Sequence, residues 1–222
     1  MMFNALDKWK FVYKFQDEHS IDPQIIDEIL WQSWKVTPSK NGFMPYEVHV
    51  IGPEQQHYKN AVFDILQAKE MNVNARNPLP NKWPINPCKK SVVTCEYLLI
   101  FTPRVEDQPS EWQIHLRNGG CYMDAWYEDH VLKGYKNVVN VEIGLFARMV
   151  SALCIEKNID TNYLISFESK LKYWEKLPFV KMPPCLLMTI GIGDIYRTDE
   201  LSKEARTWDV RPNYDRIVKY AE

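Results

Sequence analysis

The sequence predicts an α+β protein with a mixed central sheet flanked by helices. Two short and almost wholly apolar runs, at residues 97–101 and 186–193, have the length of strands that are covered on both faces. A third run, at residues 141–155, is long enough for a helix and leaves few positions for a polar face. Helix-like and strand-like segments alternate too unevenly for a doubly wound parallel sheet, which favours the α+β class.

The first half of the chain predicts a helix, a loop, a strand and a second helix. Asp22 and Pro23 are typical of a helix start, and the apolar spacing after them predicts a helix over residues 23–34. The next elements follow from turn residues and apolar periodicity. They are a proline- and glycine-punctuated loop at 37–42, a half-buried strand at 46–51, a helix at 55–69 and a surface loop at 72–87.

In the second half, the helix at 138–155 is the strongest signal. Because it is apolar nearly all round, we expect it to be buried, and its small residues would let another helix approach closely. Those residues are Gly144, Ala147, Ser151 and Ala152. The other predicted elements are an irregular segment at 103–120, a short apolar element at 163–167, a charged helix at 169–177 and an extended arm at 198–222.

Composition limits the possible partners. The 222 residues suit one domain, 1–222, and 27 basic against 29 acidic side chains give no broad positive field for nucleic acid. The five cysteines form no Cys-x-x-Cys pair and are expected to be reduced thiols. The N-terminus lacks a secretory apolar stretch, and no run reaches membrane-spanning length. We therefore expect a cytoplasmic protein without membrane or nucleic-acid partners.

Familiar catalytic motifs are missing from the sequence. Gly191-Ile192-Gly193 lacks the third glycine of a dinucleotide fingerprint and no apolar helix follows it, so the segment is predicted to end a core strand. The five histidines have no metal-ligand spacing, which predicts no metal site. Neither a Gly-x-Ser-x-Gly elbow nor a cysteine nucleophile signature is present.

The sequence also shows several features that occur in a particular order along the chain. A basic N-terminal stretch precedes a helix that leads into Pro38-Ser39, the pair Pro45-Tyr46 opens the next strand, and the long apolar helix follows later. This order resembles the FMN-dependent nitroreductase family over nearly the whole chain. The resemblance implies the nitroreductase fold and a homodimer in which the helix at 141–155 is the dimer helix.

In that family FMN lies in a groove between two subunits, and the resemblance implies residues that would hold it here. The phosphate would contact basic residues of the N-terminal stretch and of the C-terminal arm, namely Lys8, Lys10, Lys14, Arg206 and Arg211. The Pro-Ser loop would contribute Ser39, Lys40, Asn41 and Gly42. Gly42 stands where the family usually has asparagine and Met44 where it has glutamine, so two side-chain hydrogen bonds to the ring are lost.

Two further segments correspond to the flavin ring. Asn86, Lys89 and Lys90 match the asparagine and the basic residue beside the pyrimidine side, where a cation favours the anionic reduced flavin. Leu164, Ile165 and Ser166 match the segment beside N5. No carboxylate or glycine stands there, so only backbone amides could serve N5.

The implied activity is hydride transfer from NADH or NADPH through flavin N5 to a nitroaromatic, a quinone or a similar small-molecule acceptor. An insertion at about 103–136 could form a lid, because the flat faces of its aromatic residues suit planar acceptors. Those residues are Trp112, Tyr122, Trp126 and Tyr127. The alternative is a flavin-binding or flavin-free interaction protein that keeps the fold without the activity. The loop at 38–42 could also be a simple connection between helix and strand, because its turn residues explain it without a flavin.

Overall fold

The computed structural model of the chain describes residues 12–17, 21–39, 44–66, 87–104, 133–196 and 217–218. Its helices are α1 (Pro23–Val36), α2 (Gln56–Ile65), α3 (Pro87–Thr94) and α4 (Lys133–Glu156). Its strands are β1 (Val12–Phe15), β2 (Tyr46–Ile51), β3 (Tyr97–Pro103), β4 (Asp160–Leu164), β5 (Leu186–Gly191) and β6 (Gly193–Tyr196). Short 3₁₀ turns cover Pro53–Gln55 and Leu171–Trp174.

Four strands form the central sheet, in the order β2-β3-β5-β4, and β1 pairs with β6 in a separate ribbon. Every strand pair in the described ranges is antiparallel. The two apolar runs of the sequence are β3 and β5, the inner strands, as expected for strands covered on both faces. The α+β class is therefore confirmed, but the described strands of the central sheet are antiparallel throughout rather than of mixed direction.

The sheet separates two apolar cores, because successive side chains of a strand point to opposite faces. On β3, Leu98 and Ile100 face the α3-side core, which also includes Val92 of α3 and Val62 of α2. The neighbouring positions, among them Leu99, face the α4-side core with side chains of α1 and α4. Each face of the sheet is therefore covered by its own set of helices.

The early elements agree closely with the sequence predictions. At the start of α1 the Asp22 carboxylate accepts a hydrogen bond from the Gln24 N–H at 2.9 Å, and the helix runs to Val36. Strand β2 has the predicted bounds of 46–51. Helix α2 starts one residue later than expected, at Gln56, and ends at Ile65, four residues before the predicted end at 69, because Leu66 is already extended and pairs with Phe167.

Helix α4 is present but is not buried all round, so the expectation of complete burial is wrong for a single chain. Val139, Ile143 and Val150 are buried in the α4-side core. On the opposite face Val141 is 61% exposed and Leu145 is 45% exposed. The sequence pattern alone could not show that a single subunit covers only one face of this helix. No helix in the described ranges is long and apolar enough to cross a membrane.

Asn158 ends α4 in the left-handed region, with φ of 59°, where glycine is usually preferred. The Ile159 N–H donates to the Cys154 carbonyl at 2.9 Å and closes the helix end. The chain then enters β4 at Asp160, three residues earlier than the predicted element at 163–167, and leaves it at Leu164.

The predicted helix at 169–177 is wrong. The segment contains only the 3₁₀ turn Leu171–Trp174. The Trp174 indole N–H donates to the Glu168 carbonyl at 2.7 Å, and Trp174 and Leu177 are both fully buried. A turn with three residues per repeat places both side chains in the α3-side core, and Pro178 cannot continue a hydrogen-bonded helix.

Two elements were not predicted. The basic N-terminal stretch was given no secondary structure, and its described part, Val12–Phe15, is a strand that pairs with β6, about 180 residues further along the chain. Helix α3 begins at Pro87, where the predicted loop at 72–87 ends. Residues 67–86, 105–132 and 197–216 lie outside the described ranges, and with them most of that loop, of the insertion at 103–136 and of the C-terminal arm.

Gly191, at the end of β5, lies against the ring of Phe15. A Cβ at this position would stand 2.7 Å from Phe15 Cδ1 and 3.1 Å from Phe15 Cγ. Gly191 is therefore the end of a core strand, as predicted, and makes room for an aromatic ring of β1, whereas Gly193 already begins β6.

We predict that Gly191→Ala lowers the free energy of unfolding by about 1–3 kcal/mol, because a buried ring must move to admit the methyl group. Urea unfolding followed by tryptophan fluorescence measures the change. Gly52→Ala is the control, since the nearest atom to a Cβ at that position would be Tyr97 Cε1, at an ordinary contact distance of 3.8 Å. Equal stability of Gly191→Ala and the wild type would contradict the tight packing of Phe15 on β5.

Candidate functional site

Three of the segments expected to contact a flavin meet around Asn162, in the middle of β4: its side chain contacts two of them, and the third continues its own strand. Its amide Nδ2 donates to the Val12 carbonyl of β1 at 3.3 Å and to Ser91 Oγ of α3 at 3.4 Å. Lys14 lies two residues after Val12, and Lys90 precedes Ser91. The predicted segment 164–166 begins two residues after Asn162. We call this group of segments the Asn162 cluster.

Lys14 is the predicted N-terminal lysine that the structure describes. Its ammonium contacts Asp194 and Asp17, each at 3.1 Å. Hydrogen bonds to Asp194 and then to Asp17 raise the pKa of Lys14 above its usual value. The lysine is therefore positively charged but paired with two carboxylates, with which an anionic ligand would have to compete. Lys8 and Lys10 lie outside the described residues.

Helix α3 is attached directly to β1. The Thr94 hydroxyl accepts a hydrogen bond from the Phe15 N–H at 3.1 Å and donates to the Lys90 carbonyl at 3.3 Å. The Lys90 side chain is half-buried. Lys89 belongs to the same helix, but its side chain is not among those described. Asn86 lies just before the described residues 87–104.

Lys59 of α2 binds the chain just beyond the C-terminal end of α3, next to Thr94. Its side chain is 1% exposed, and its ammonium donates to the carbonyls of Cys95 at 2.9 Å and Glu96 at 2.8 Å. Burial lowers the pKa of Lys59. A cation beside carbonyls that follow a helix C-terminus is favourable, so Lys59 fixes the junction between α3 and β3. Sequence reasoning missed this residue because a lysine is rarely buried.

The segment expected beside flavin N5 lies at the end of β4. Leu164 is buried in the α3-side core, whereas Ile165 is 75% exposed. Ser166 is also exposed. An apolar side chain so exposed, next to the Asn162 cluster, offers a surface for a flat apolar ring.

Ser39 lies elsewhere, against α4. Its hydroxyl donates to Glu142 Oε2 at 2.7 Å and accepts from the Met44 N–H at 2.8 Å. Met44 has a φ of 40°, a strained conformation for a side chain of its size. The Ser39 hydroxyl therefore closes the loop between α1 and β2 and ties it to the long helix. Lys40, Asn41 and Gly42 lie outside the described residues.

Glu142 is 4% exposed, and its charge also affects the pKa of Tyr46. Burial, and then the charge of Glu142, raise the pKa of Tyr46 to about 12, so this phenol stays protonated at neutral pH. Glu142 went unnoticed in the sequence because it stands within the apolar run of α4. A single acid in such a run was the available signal, since carboxylates are rarely buried without a partner.

The described site residues thus fall into two groups on opposite sides of the sheet. The Asn162 cluster belongs to the face covered by α3 and β1, whereas Ser39 contacts α4, which covers the other face. Other predicted residues, namely Arg206 and Arg211 of the arm and the aromatic residues Trp112, Tyr122, Trp126 and Tyr127, lie outside the described ranges.

Comparison with known proteins shows the class of fold. No protein-family model and no curated protein sequence matches the chain. Solved structures do match it over essentially its full length. A protein of Staphylococcus epidermidis named as an NAD(P)H:FMN oxidoreductase aligns with a TM-score of 0.68 and 16% identity, covering 100% of this chain and 96% of its own.

Two further structures agree. A nitroreductase-like protein of Streptococcus mutans aligns with a TM-score of 0.67 and 14% identity, over 99% of this chain and 98% of its own. A protein of Exiguobacterium sibiricum, named as a nitroreductase and solved in complex with FMN, aligns with a TM-score of 0.65 and 15% identity, over 100% and 97%. The chain therefore has the nitroreductase fold, as the resemblance implied.

We predict that Ser39→Ala lowers the free energy of unfolding by about 1–3 kcal/mol, because it removes the acceptor of the Met44 N–H and a donor to a buried carboxylate. Chemical denaturation measures the loss. Ser39→Thr, which keeps the hydroxyl, should retain most of the stability. If alanine and threonine have the same effect, the hydrogen bonds of Ser39 do not hold the loop.

Proposed function

We propose that the protein is an FMN-dependent NAD(P)H oxidoreductase of the nitroreductase type that works as a homodimer. The observation that carries this proposal is the convergence on Asn162 of three segments that the resemblance assigns to the flavin. The chain has the nitroreductase fold over its whole length, and one of the similar structures contains FMN. The electron donor would be NADH or NADPH, and the acceptor a nitroaromatic, a quinone or a similar small molecule.

The residues present suit a flavin in charge and in polarity. Lys90 supplies positive charge for the pyrimidine side, and Ile165 supplies exposed apolar surface. Lys14 would serve the phosphate once the anion displaces Asp17 or Asp194 from it. FMN, when bound, accepts a hydride at N5 and passes it to the acceptor. The chain itself would bind, orient and shield the ring, with backbone groups of 165–166 beside N5. No side-chain acid or base is required.

A homodimer accounts for two features of the single chain. Val141 and Leu145 leave an apolar face of α4 exposed, and Gly144 between them leaves open space for a close approach. In addition, Ser39 and the Asn162 cluster lie on opposite sides of the sheet, so one subunit does not bring them together. A groove between two subunits would combine the Ser39 loop of one with the Asn162 cluster of the other.

We predict that the purified protein is yellow, or becomes so with added FMN, and that NADH or NADPH bleaches it under anaerobic conditions. Absorbance in the flavin bands, recorded before and after the reductant, measures both properties. Apoprotein prepared by removing the flavin should regain its colour with FMN. A colourless protein that takes up no added FMN would refute the proposal.

A second candidate is a flavin-binding protein without reductase activity. The pairing of Lys14 with Asp17 and Asp194 favours it, because the charge expected for the phosphate is already neutralised. The lack of a carboxylate in the segment 164–166 and Met44 in place of glutamine point the same way. A protein that binds FMN but is bleached by neither NADH nor NADPH, under anaerobic conditions and without an acceptor, would support this alternative.

We predict that Leu145→Glu converts the dimer to a monomer and releases FMN, because a charge on the apolar face of α4 cannot be buried at little cost. Light scattering after size exclusion gives the mass, and absorbance gives the bound flavin. Leu171→Glu is the matched control, since Leu171 is 40% exposed but lies in a 3₁₀ turn outside α4. A folded Leu145→Glu monomer that keeps its flavin would show that the site does not need the dimer.

A further inference from the structure

Asn162 occupies a position where fold stability favours an apolar side chain. It is fully buried in the middle of a strand, where β-branched and apolar residues pack best. Its Oδ1 has no hydrogen-bond partner among the described residues, and a buried polar atom without a partner destabilises the folded state. Stability alone therefore does not account for this asparagine.

The hydrogen bonds of Asn162 are directed to one side of β4 only. Both of its donors are used, on the Val12 carbonyl of β1 and the Ser91 hydroxyl of α3. Its neighbours face the other side, where Thr161 Oγ1 lies 2.7 Å from Ser151 Oγ and the Tyr163 hydroxyl donates to the Ala147 carbonyl at 3.1 Å. The polar groups of this strand are thus divided between the α3 side and the α4 side.

Each element joined by Asn162 carries a residue that the proposed function uses. Val12 accepts the hydrogen bond of Asn162 through its backbone carbonyl, and Lys14 follows two residues later on β1, where the pairing with β6 is irregular. Ser91 adjoins Lys90 on α3, and Leu164 is the next residue of β4 on the same side as Asn162. One amide therefore links β1 and α3, two of the segments proposed to hold the flavin, to the strand that leads into the third.

We propose that Asn162 is a positioning residue, whose amide holds β1, α3 and the end of β4 at the spacing that the flavin requires. This inference rests on the proposed function. Asn162 does not itself take part in electron transfer. It acts through the segments it joins, whereas the Ser151 and Thr161 pair on the other side of the same strand supports only the packing of α4.

The test compares Asn162→Leu, which keeps a similar volume but removes the donors, with Thr161→Val, which removes a buried hydroxyl one residue away. Both should lose stability in denaturation experiments. We expect Asn162→Leu to raise the dissociation constant of FMN by about tenfold or more, because displaced supporting groups weaken ligand contacts strongly. Thr161→Val should change it much less. Equal effects of the two variants on FMN affinity would overturn the inference.

Hydrogen exchange of the flavin-free proteins provides a second readout that does not depend on the proposed function. Asn162→Leu should accelerate amide exchange in β1 and α3, and Thr161→Val in α4. Unchanged exchange in β1 and α3 would overturn the inference even where FMN affinity falls. A wild-type protein that binds no FMN would refute the proposed function, and exchange would then report only whether Asn162 joins the three segments.

Ser91→Ala removes one of the two hydrogen bonds and serves if Asn162→Leu does not fold. It should raise the dissociation constant of FMN by less than Asn162→Leu but by more than Thr161→Val. In the double variant Ser91→Ala with Asn162→Leu, the effects on FMN affinity should be less than additive, because both changes break the same contact. Strict additivity would contradict a role for that hydrogen bond.

Discussion

The burial of the central sheet on both faces is the constraint on which the rest of the structure depends. β3 and β5 are apolar on each side, so each side requires its own cover. α1 and α4 cover one side, and α2, α3 and β1 cover the other. The cover of one side contains α4, whose outer face stays exposed, while the cover of the other side contains the lysines Lys14 and Lys90. The division of the molecule into two cores thus also divides the candidate site.

Strand β4, at the edge of the sheet, shows how one strand can serve both sides. Thr161 and Tyr163 bind α4, whereas Asn162 binds α3 and β1. The polar residues of β4 are compatible with burial because nearly all of them are hydrogen-bonded. The exception, Asn162 Oδ1, occurs where the segments attributed to the cofactor meet. A local cost in stability at that point is consistent with a functional role.

Two residues of the candidate site already have partners within the fold. Lys14 is already neutralised by Asp17 and Asp194, and Ser39 is engaged by Glu142. These contacts already order the two side chains, which reduces the conformational entropy that would be lost on binding a ligand. They also mean that a phosphate near Lys14 would displace or share existing ion pairs. The energetic balance of the site therefore depends on which carboxylates move when an anion binds.

Local signals determined much of the fold: the cap at Asp22, the alternation of 46–51 and the apolar runs of β3, β5 and α4 each predicted an element, since they depend only on neighbouring residues. The sequence also determined the nitroreductase fold, through the order of its elements. Tertiary structure alone decided that Val12–Phe15 is a strand, that residues 169–177 form a turn, and that α4 keeps an exposed face. It also revealed Asn162, Glu142 and Lys59. Their roles come from partners that are distant in the chain, and no local pattern records such partners.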